Sequence, residues 1–250
     1  KYKRTFAEIH NIDAMFGINA EKWVTKKVVT AREKFEDVGI YDLNLATGTQ
    51  GNGGGKTHNG TYSYIARLNY NYAEKYMVEL MGRRDGNSKF ASGYRFKSFG
   101  SVSLGWAFSE EQFVEFLKPV LSFGKLRLSY GSSGNDVGLG DYDYVSTVSL
   151  GTAGFGTIPA NQVSSGFGGL ISYDRTWEKV SQKNFGIDLN FFDNRLKATF
   201  DYFIKDNTGM LVNVTYPGVL GGKAPKTNSG HLNVKGWEFT IGWRDQIKDF

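Results

Sequence analysis

From Tyr62 to Tyr72 every second residue is apolar or aromatic. Tyr62, Tyr64, Ala66, Leu68, Tyr70 and Tyr72 alternate with Ser63, Ile65, Arg67, Asn69 and Asn71. A period of two marks a strand with one apolar face, because successive side chains point to opposite sides. The same alternation recurs in Tyr76–Asp85, Ser98–Phe108, Asn184–Phe191, Arg195–Ile204 and Val234–Arg244. In the last of these, Trp237, Phe239, Ile241 and Trp243 stand against Glu238, Thr240, Gly242 and Arg244. Leu126, Leu128 and Tyr130 against Lys125, Arg127 and Ser129 form a shorter case, and Tyr2–Ile9 and Ile12–Asn19 alternate less cleanly. The pattern predicts about nine strands, most of them about nine to twelve residues long.

Connections alternate between short and long. Short ones are expected at His10-Asn11, Ala73-Glu74-Lys75 and Asp193-Asn194, with a helical turn over 109–121 in a fourth short slot. Long ones are expected over roughly 20–61, 86–95, 132–182 and 205–232. Pro119, Pro159, Pro217 and Pro225 all fall in connections, where a missing N–H costs no ladder bond. Tight turns at one rim and long loops at the other describe an up-and-down antiparallel meander.

The strands exceed the usual length in a soluble sandwich, and their rings gather at the ends: Tyr62, Tyr72, Tyr76, Phe108, Trp237 and Trp243. Charges recur on the opposite face. This predicts an all-β transmembrane barrel, apolar toward lipid and polar toward the lumen. Arg67, Asn69, Glu79, Arg83, Asp85, Arg127, Asp188, Asp201, Glu238 and Arg244 are expected to face the lumen or a plug. The competing expectation is a secreted soluble β-protein that binds glycans through surface aromatics. Closed bacterial barrels have an even number of strands and tolerate no open edge in lipid. About nine strands therefore predict that 1–250 is one portion of a larger barrel domain.

Composition narrows the classes. Lys+Arg 30 against Asp+Glu 25 leaves +5 without a long basic run, so no nucleic-acid partner is expected. Gly 32 with Pro 4, and aromatics at 15 %, fit strands and turns rather than a disordered linker. Cys 0 removes disulfides, thiolate metal sites and cysteine nucleophiles.

Three blocks in order carry a family resemblance: Tyr64–Glu111, Asn184–Gly222 and Ala224–Asp245. Together they resemble the C-terminal barrel portion of the SusC/RagA-like TonB-dependent transporters of Gram-negative outer membranes. The resemblance implies a barrel of 22 strands, import of oligosaccharides or peptides, a SusD-like surface lipoprotein as lid, and TonB–ExbB–ExbD as energy source. It implies no enzyme activity and no cofactor. The family's plug, N-terminal domain and TonB box are expected outside 1–250.

Other motifs carry little. Gln50-Gly51-Asn52-Gly53-Gly54-Gly55-Lys56-Thr57 nearly spells a phosphate loop, but no strand–helix frame surrounds it, and a flexible surface loop is expected. Gly166-Phe167-Gly168-Gly169 lacks such a frame too. His10, His58 and His231 are too scattered for a metal site. Asp136, Asp141 and Asp143 are expected to be solvated loop acids. Tyr142, Tyr144, Tyr173 and Trp177 lie in the 132–182 connection, where ring faces could stack on a sugar or peptide.

Overall fold

The computed structural model describes residues 1–35, 39, 42–153, 160–167, 169–221 and 224–245. Strands β1 (Tyr2–Phe6), β2 (His10–Arg32), β3 (Gln50–Tyr72), β4 (Tyr76–Asn87), β5 (Phe96–Trp106) and β6 (Leu121–Asn135) follow one another in the sheet. A hairpin of β7 (Val148–Ala153) and β8 (Ala160–Phe167) interrupts the series inside one connection. Strands β9 (Glu178–Phe191), β10 (Leu196–Val212) and β11 (Thr227–Trp243) complete it. The nine strands pair antiparallel in the order β1-β2-β3-β4-β5-β6-β9-β10-β11. This is the expected open meander.

The register sorts side chains onto two faces. Arg127 pairs with Gly186, which pairs with Asp201, which pairs with Glu238. One position along, Leu128, Phe185, Tyr202 and Trp237 form the matching apolar row. Trp237 is 68 % exposed, Ile241 61 % and Leu128 50 %. A soluble sandwich would bury that face under a second sheet. Among the described residues nothing covers it, and a contiguous apolar face of this extent marks a surface that meets lipid or other protein.

The short-turn rim is built from short runs of left-handed residues. Ala73 and Glu74 have φ of 50° and 58°, and Phe192, Asp193 and Asn194 have 54°, 51° and 66°. Such turns match the twist of the flanking strands. The first turn occupies Ala7–Ile9 rather than His10-Asn11, and His10 opens β2. The 109–121 slot holds two 3₁₀ turns, Phe108–Glu110 and Gln112–Leu117. Glu111 accepts from the Tyr76 hydroxyl at 2.5 Å and from Trp106 Nε1 at 3.2 Å, with Lys75 at 3.7 Å. These donors hold its carboxyl below the usual range.

The long-loop side departs most from expectation. Strand β2 runs on to Arg32 and β3 starts at Gln50, so much of 20–61 is a two-stranded ribbon. Gln50–Thr57 is therefore strand, not flexible loop. Likewise β10 reaches Val212 and β11 begins at Thr227, inside the expected 205–232 loop. Pro119, Pro217 and Pro225 lie between strands; Pro159 and Gly168 lie outside the described residues. What core exists is small: Phe90, Phe99, Leu139 and Trp177, packed with Leu211 at the long-loop rim.

Candidate functional site: a polar wall and its rim loops

The polar face is a wall of short-range pairs. Arg127 on β6 reaches across to β9 and β10. Its Nε lies 2.7 Å from Asp188 Oδ2, and its Nη2 lies 3.0 Å from both Asp188 Oδ1 and Asp201 Oδ1. Gly186 sits between Arg127 and Asp201 in register. A Cβ there would fall 2.5 Å from Asp201 Oδ1 and 2.7 Å from Arg127 Cζ. The glycine is thus what lets one guanidinium span two carboxylates.

Arg127→Gln should cost about 1–2 kcal/mol, since two carboxylates lose their shared cation in a half-exposed setting. Gly186→Ala should cost a similar amount alone but little more in the Arg127→Gln background. Denaturant unfolding of the complete barrel reads both; full additivity would mean the methyl acts elsewhere.

Higher on the wall, Arg83 Nε stands 2.6 Å from both oxygens of the buried Asp85. Asn69 and Glu79 are cross-strand partners, and Ser103 continues their row. Arg67 Nε and Asn69 Oδ1 are buried from water without a hydrogen-bond partner. Glu238 is exposed on the row of Asp201. Arg244 lies past the strand end, where its N–H donates to the Arg195 carbonyl at 2.8 Å. A hollow of about 450 Å³ opens among Asn11, Asn69, Glu79, Lys125, Arg127 and their neighbours. Such a surface offers donors and acceptors of both charges to whatever fills the space beside it.

At the long-loop rim the 136–177 connection is tied down at many points. The Tyr142 hydroxyl lies 2.8 Å from His58 Nδ1, and Asn59 Nδ2 donates to Asp141 at 3.1 Å. Asn87 Nδ2 donates to Asp136 at 2.5 Å, with Lys89 at 3.6 Å. Asp143 accepts from the Gly140 N–H at 2.8 Å and pairs with Arg175 at 3.5 Å. The three aspartates therefore serve separate sets of partners, with none shared. Among the described residues no group of metal-ligating side chains converges.

Trp177 is 8 % exposed, its ring packed on Phe90 and Phe99 and its Nε1 donating to the Arg95 carbonyl at 2.8 Å. It is an anchor for the loop stem, with no ring face left for a ligand. Tyr173 is open at 59 %, Tyr142 is exposed, and Tyr144 is half-buried. Tyr142, Arg175, Asn213 and Lys226 border a rim hollow of about 570 Å³.

Sequence reasoning missed the clamps that hold this rim. Asn228 donates to the Thr176 carbonyl at 2.8 Å and accepts from the Thr176 N–H at 2.9 Å. Buried Glu178 accepts from the Leu211 N–H at 2.7 Å and from Asn135 at 2.8 Å. Only the scarcity of buried acids near strand ends could have drawn attention to Glu178.

An antiparallel meander with an uncovered apolar face and a hydrogen-bonding wall defines part of a transmembrane β-barrel. The sequence profile described as "TonB dependent receptor-like, beta-barrel" matches residues 4–249, and the chain belongs to that family. It is 31 % identical to TonB-dependent receptor P39 of Formosa agariphila over 96 % of this chain and 23 % of that protein. It is 30 % identical to TonB-dependent receptor SusC of Bacteroides thetaiotaomicron over 78 % of this chain and 20 % of that one. The RagAB peptide importer in its closed-closed state matches with TM-score 0.84 and 25 % identity, over 99 % of this chain and 27 % of that one. The relationship is thus to the SusC/RagA-like members, and the chain spans about a quarter of the length of these relatives.

Proposed function

We propose that residues 1–250 are an arc of the barrel of a TonB-dependent importer in the outer membrane of a Gram-negative bacterium, without catalytic function. The complete protein takes up oligosaccharides or peptides, with a plug in its lumen. A SusD-like lipoprotein closes the long-loop rim from outside, and TonB–ExbB–ExbD drives transport through parts of the protein outside this stretch. The observation that carries this is the pairing of an uncovered apolar face with a charge-laced wall across nine strands. Such a surface is stable only with lipid on one side and an aqueous or plugged lumen on the other. Membership of the family supports it.

The wall residues Arg67, Asn69, Glu79, Arg83, Asp85, Arg127, Asp188, Asp201, Glu238 and Arg244 contact the plug or the passing solute. Tyr142, Tyr144 and Tyr173 supply ring faces to it at the rim. In cells carrying the complete transporter, uptake from panels of labelled oligosaccharides and peptides should vanish when TonB is deleted. The double variant Tyr142→Ala/Tyr173→Ala should raise the half-saturating concentration about thirtyfold, since each stacking contact contributes about 1 kcal/mol. Undiminished uptake without TonB would sink the transport reading; an unchanged half-saturation would remove the tyrosines from it.

A further inference from the structure

Outward cations on three strands share one level. Arg84 on β4, Lys183 on β9 and Lys235 on β11 each stand nine residues from the short-turn rim, counted from Lys75, Phe192 and Arg244. Below each cation the four outward positions are nonpolar or aromatic. They are Gly82, Leu80, Val78 and Tyr76 on β4; Phe185, Ile187, Leu189 and Phe191 on β9; and Trp237, Phe239, Ile241 and Trp243 on β11. Nine residues span about 31 Å of strand, or about 23 Å of height at the usual barrel tilt, close to the height of a lipid-facing apolar band.

All three side chains are exposed, and among the described residues none has a carboxylate within 4 Å. Lys183 and Lys235 flank Ile204 in register, about 10 Å apart. The Arg84 guanidinium lies 5.8 Å over the Phe96 ring. The outward acid beside this level, Asp206, is hydrogen-bonded by Asn233 and His231 and interacts with Lys183 only through a weaker, longer-range charge attraction. Two inward cations, Arg127 and Arg83, hold carboxylates instead. At the short-turn rim the same three strands present Tyr76, Phe191 and Trp243 instead of cations.

We propose that this basic level binds the phosphate groups of lipids in the leaflet nearest the long-loop rim, a reading that rests on the barrel orientation proposed above. All three strands continue beyond the level, to Asn87, Glu178 and Thr227, so it lies beside the membrane rather than at the mouth of the barrel. Its occupant arrives from the lipid side. A long cation with its stem on apolar surface and its head at the interface needs an anion there, and charge complementarity selects phosphate headgroups.

The test uses the complete transporter in nonionic detergent, with its folded state checked by heat-modifiable gel mobility. Diphosphoryl lipid A and its dephosphorylated counterpart are titrated by native mass spectrometry. The wild type should prefer the diphosphoryl lipid at least tenfold, and Arg84→Gln/Lys183→Gln/Lys235→Gln should lose that preference, at about fivefold per cation. Lys205→Gln, on the opposite face, should leave it unchanged. If the triple variant does not fold, Lys183→Gln and Lys235→Gln alone should each weaken binding about fivefold. Retained preference in the folded variants overturns the proposal, as does displacement of the lipid by millimolar inorganic phosphate. Failure of the wild type to form a heat-modifiable barrel would instead overturn the transporter reading.

Discussion

Arginine at position 102 is expected to destabilise the complete barrel by about 2–4 kcal/mol, while arginine at position 103 should change stability by less than about 1 kcal/mol. The two residues are neighbours on β5, and the same side chain is introduced at both. Val102 lies between Leu80 and Tyr130 on the apolar face, in the middle of the band below Arg84. An arginine there must strip its guanidinium of water or thin the bilayer around itself. Ser103 lies between Glu79 and Ser129 on the polar wall, where the new guanidinium meets a carboxylate and water. Unfolding by guanidinium chloride in lipid vesicles reads both variants. Equal costs would mean that the apolar face does not meet lipid.

This contrast also explains which parts of the fold were legible in the sequence. Where one face meets apolar solvent and the other a polar interior, the chemistry alternates and the strand announces itself. Tyr62–Tyr72 and Val234–Trp243 are of this kind, and their registers follow the alternation. The ribbon of Val24–Ala31 and Gly51–His58 has both faces in water. Val28 pairs with Gly54 and Lys26 with Lys56, and no alternation marks them, although every rung is paired. Period-two reading fails there for a physical reason: nothing selects apolar side chains when neither face is buried.

The wall residues were legible as a set, but their partners were not. Alternation placed Arg127, Asp188 and Asp201 on one face. Only the register shows that Gly186 opens the space in which they meet. The rim was the least legible part. Its clamps join residues far apart in sequence, such as Asn59 with Asp141 and Thr176 with Asn228, and polar residues in loops carry no period. Trp177 illustrates the ambiguity. In a Gly-rich connection an indole serves equally as a stacking platform or as a plug for a gap. Its 5.1 Å approach to Phe90 and its bond to the Arg95 carbonyl decide for the second.

Removing that indole should release the rim while leaving the barrel intact. Trp177→Ala deletes a buried ring of the small cluster and leaves a cavity, a loss of about 3–5 kcal/mol at well-packed sites. It also leaves the Arg95 carbonyl without its donor. The cost falls on the loop stem, because the strands below are held by their own ladders and by lipid. Amide exchange across 136–147 and 170–177 should therefore accelerate by about a hundredfold or more, while β4, β5 and β9 keep their protection. Trp177→Phe retains most of the packing and loses the Nε1 bond, so about 1 kcal/mol of weakening is expected. Gly134→Ala should loosen the same stem from the other side. A Cβ there would lie 2.4 Å from Phe99 Cζ and 2.8 Å from Trp177 Cε3, and both rings are buried in the cluster. Tyr173→Ala is the control, since its ring is exposed and lies outside the buried cluster. Equal acceleration in Trp177→Ala and Tyr173→Ala would show that the stem is not anchored by the cluster. Acceleration confined to the tryptophan and glycine variants would show that four side chains, Phe90, Phe99, Leu139 and Trp177, fix the stem of the connection that carries Tyr142 and Tyr173.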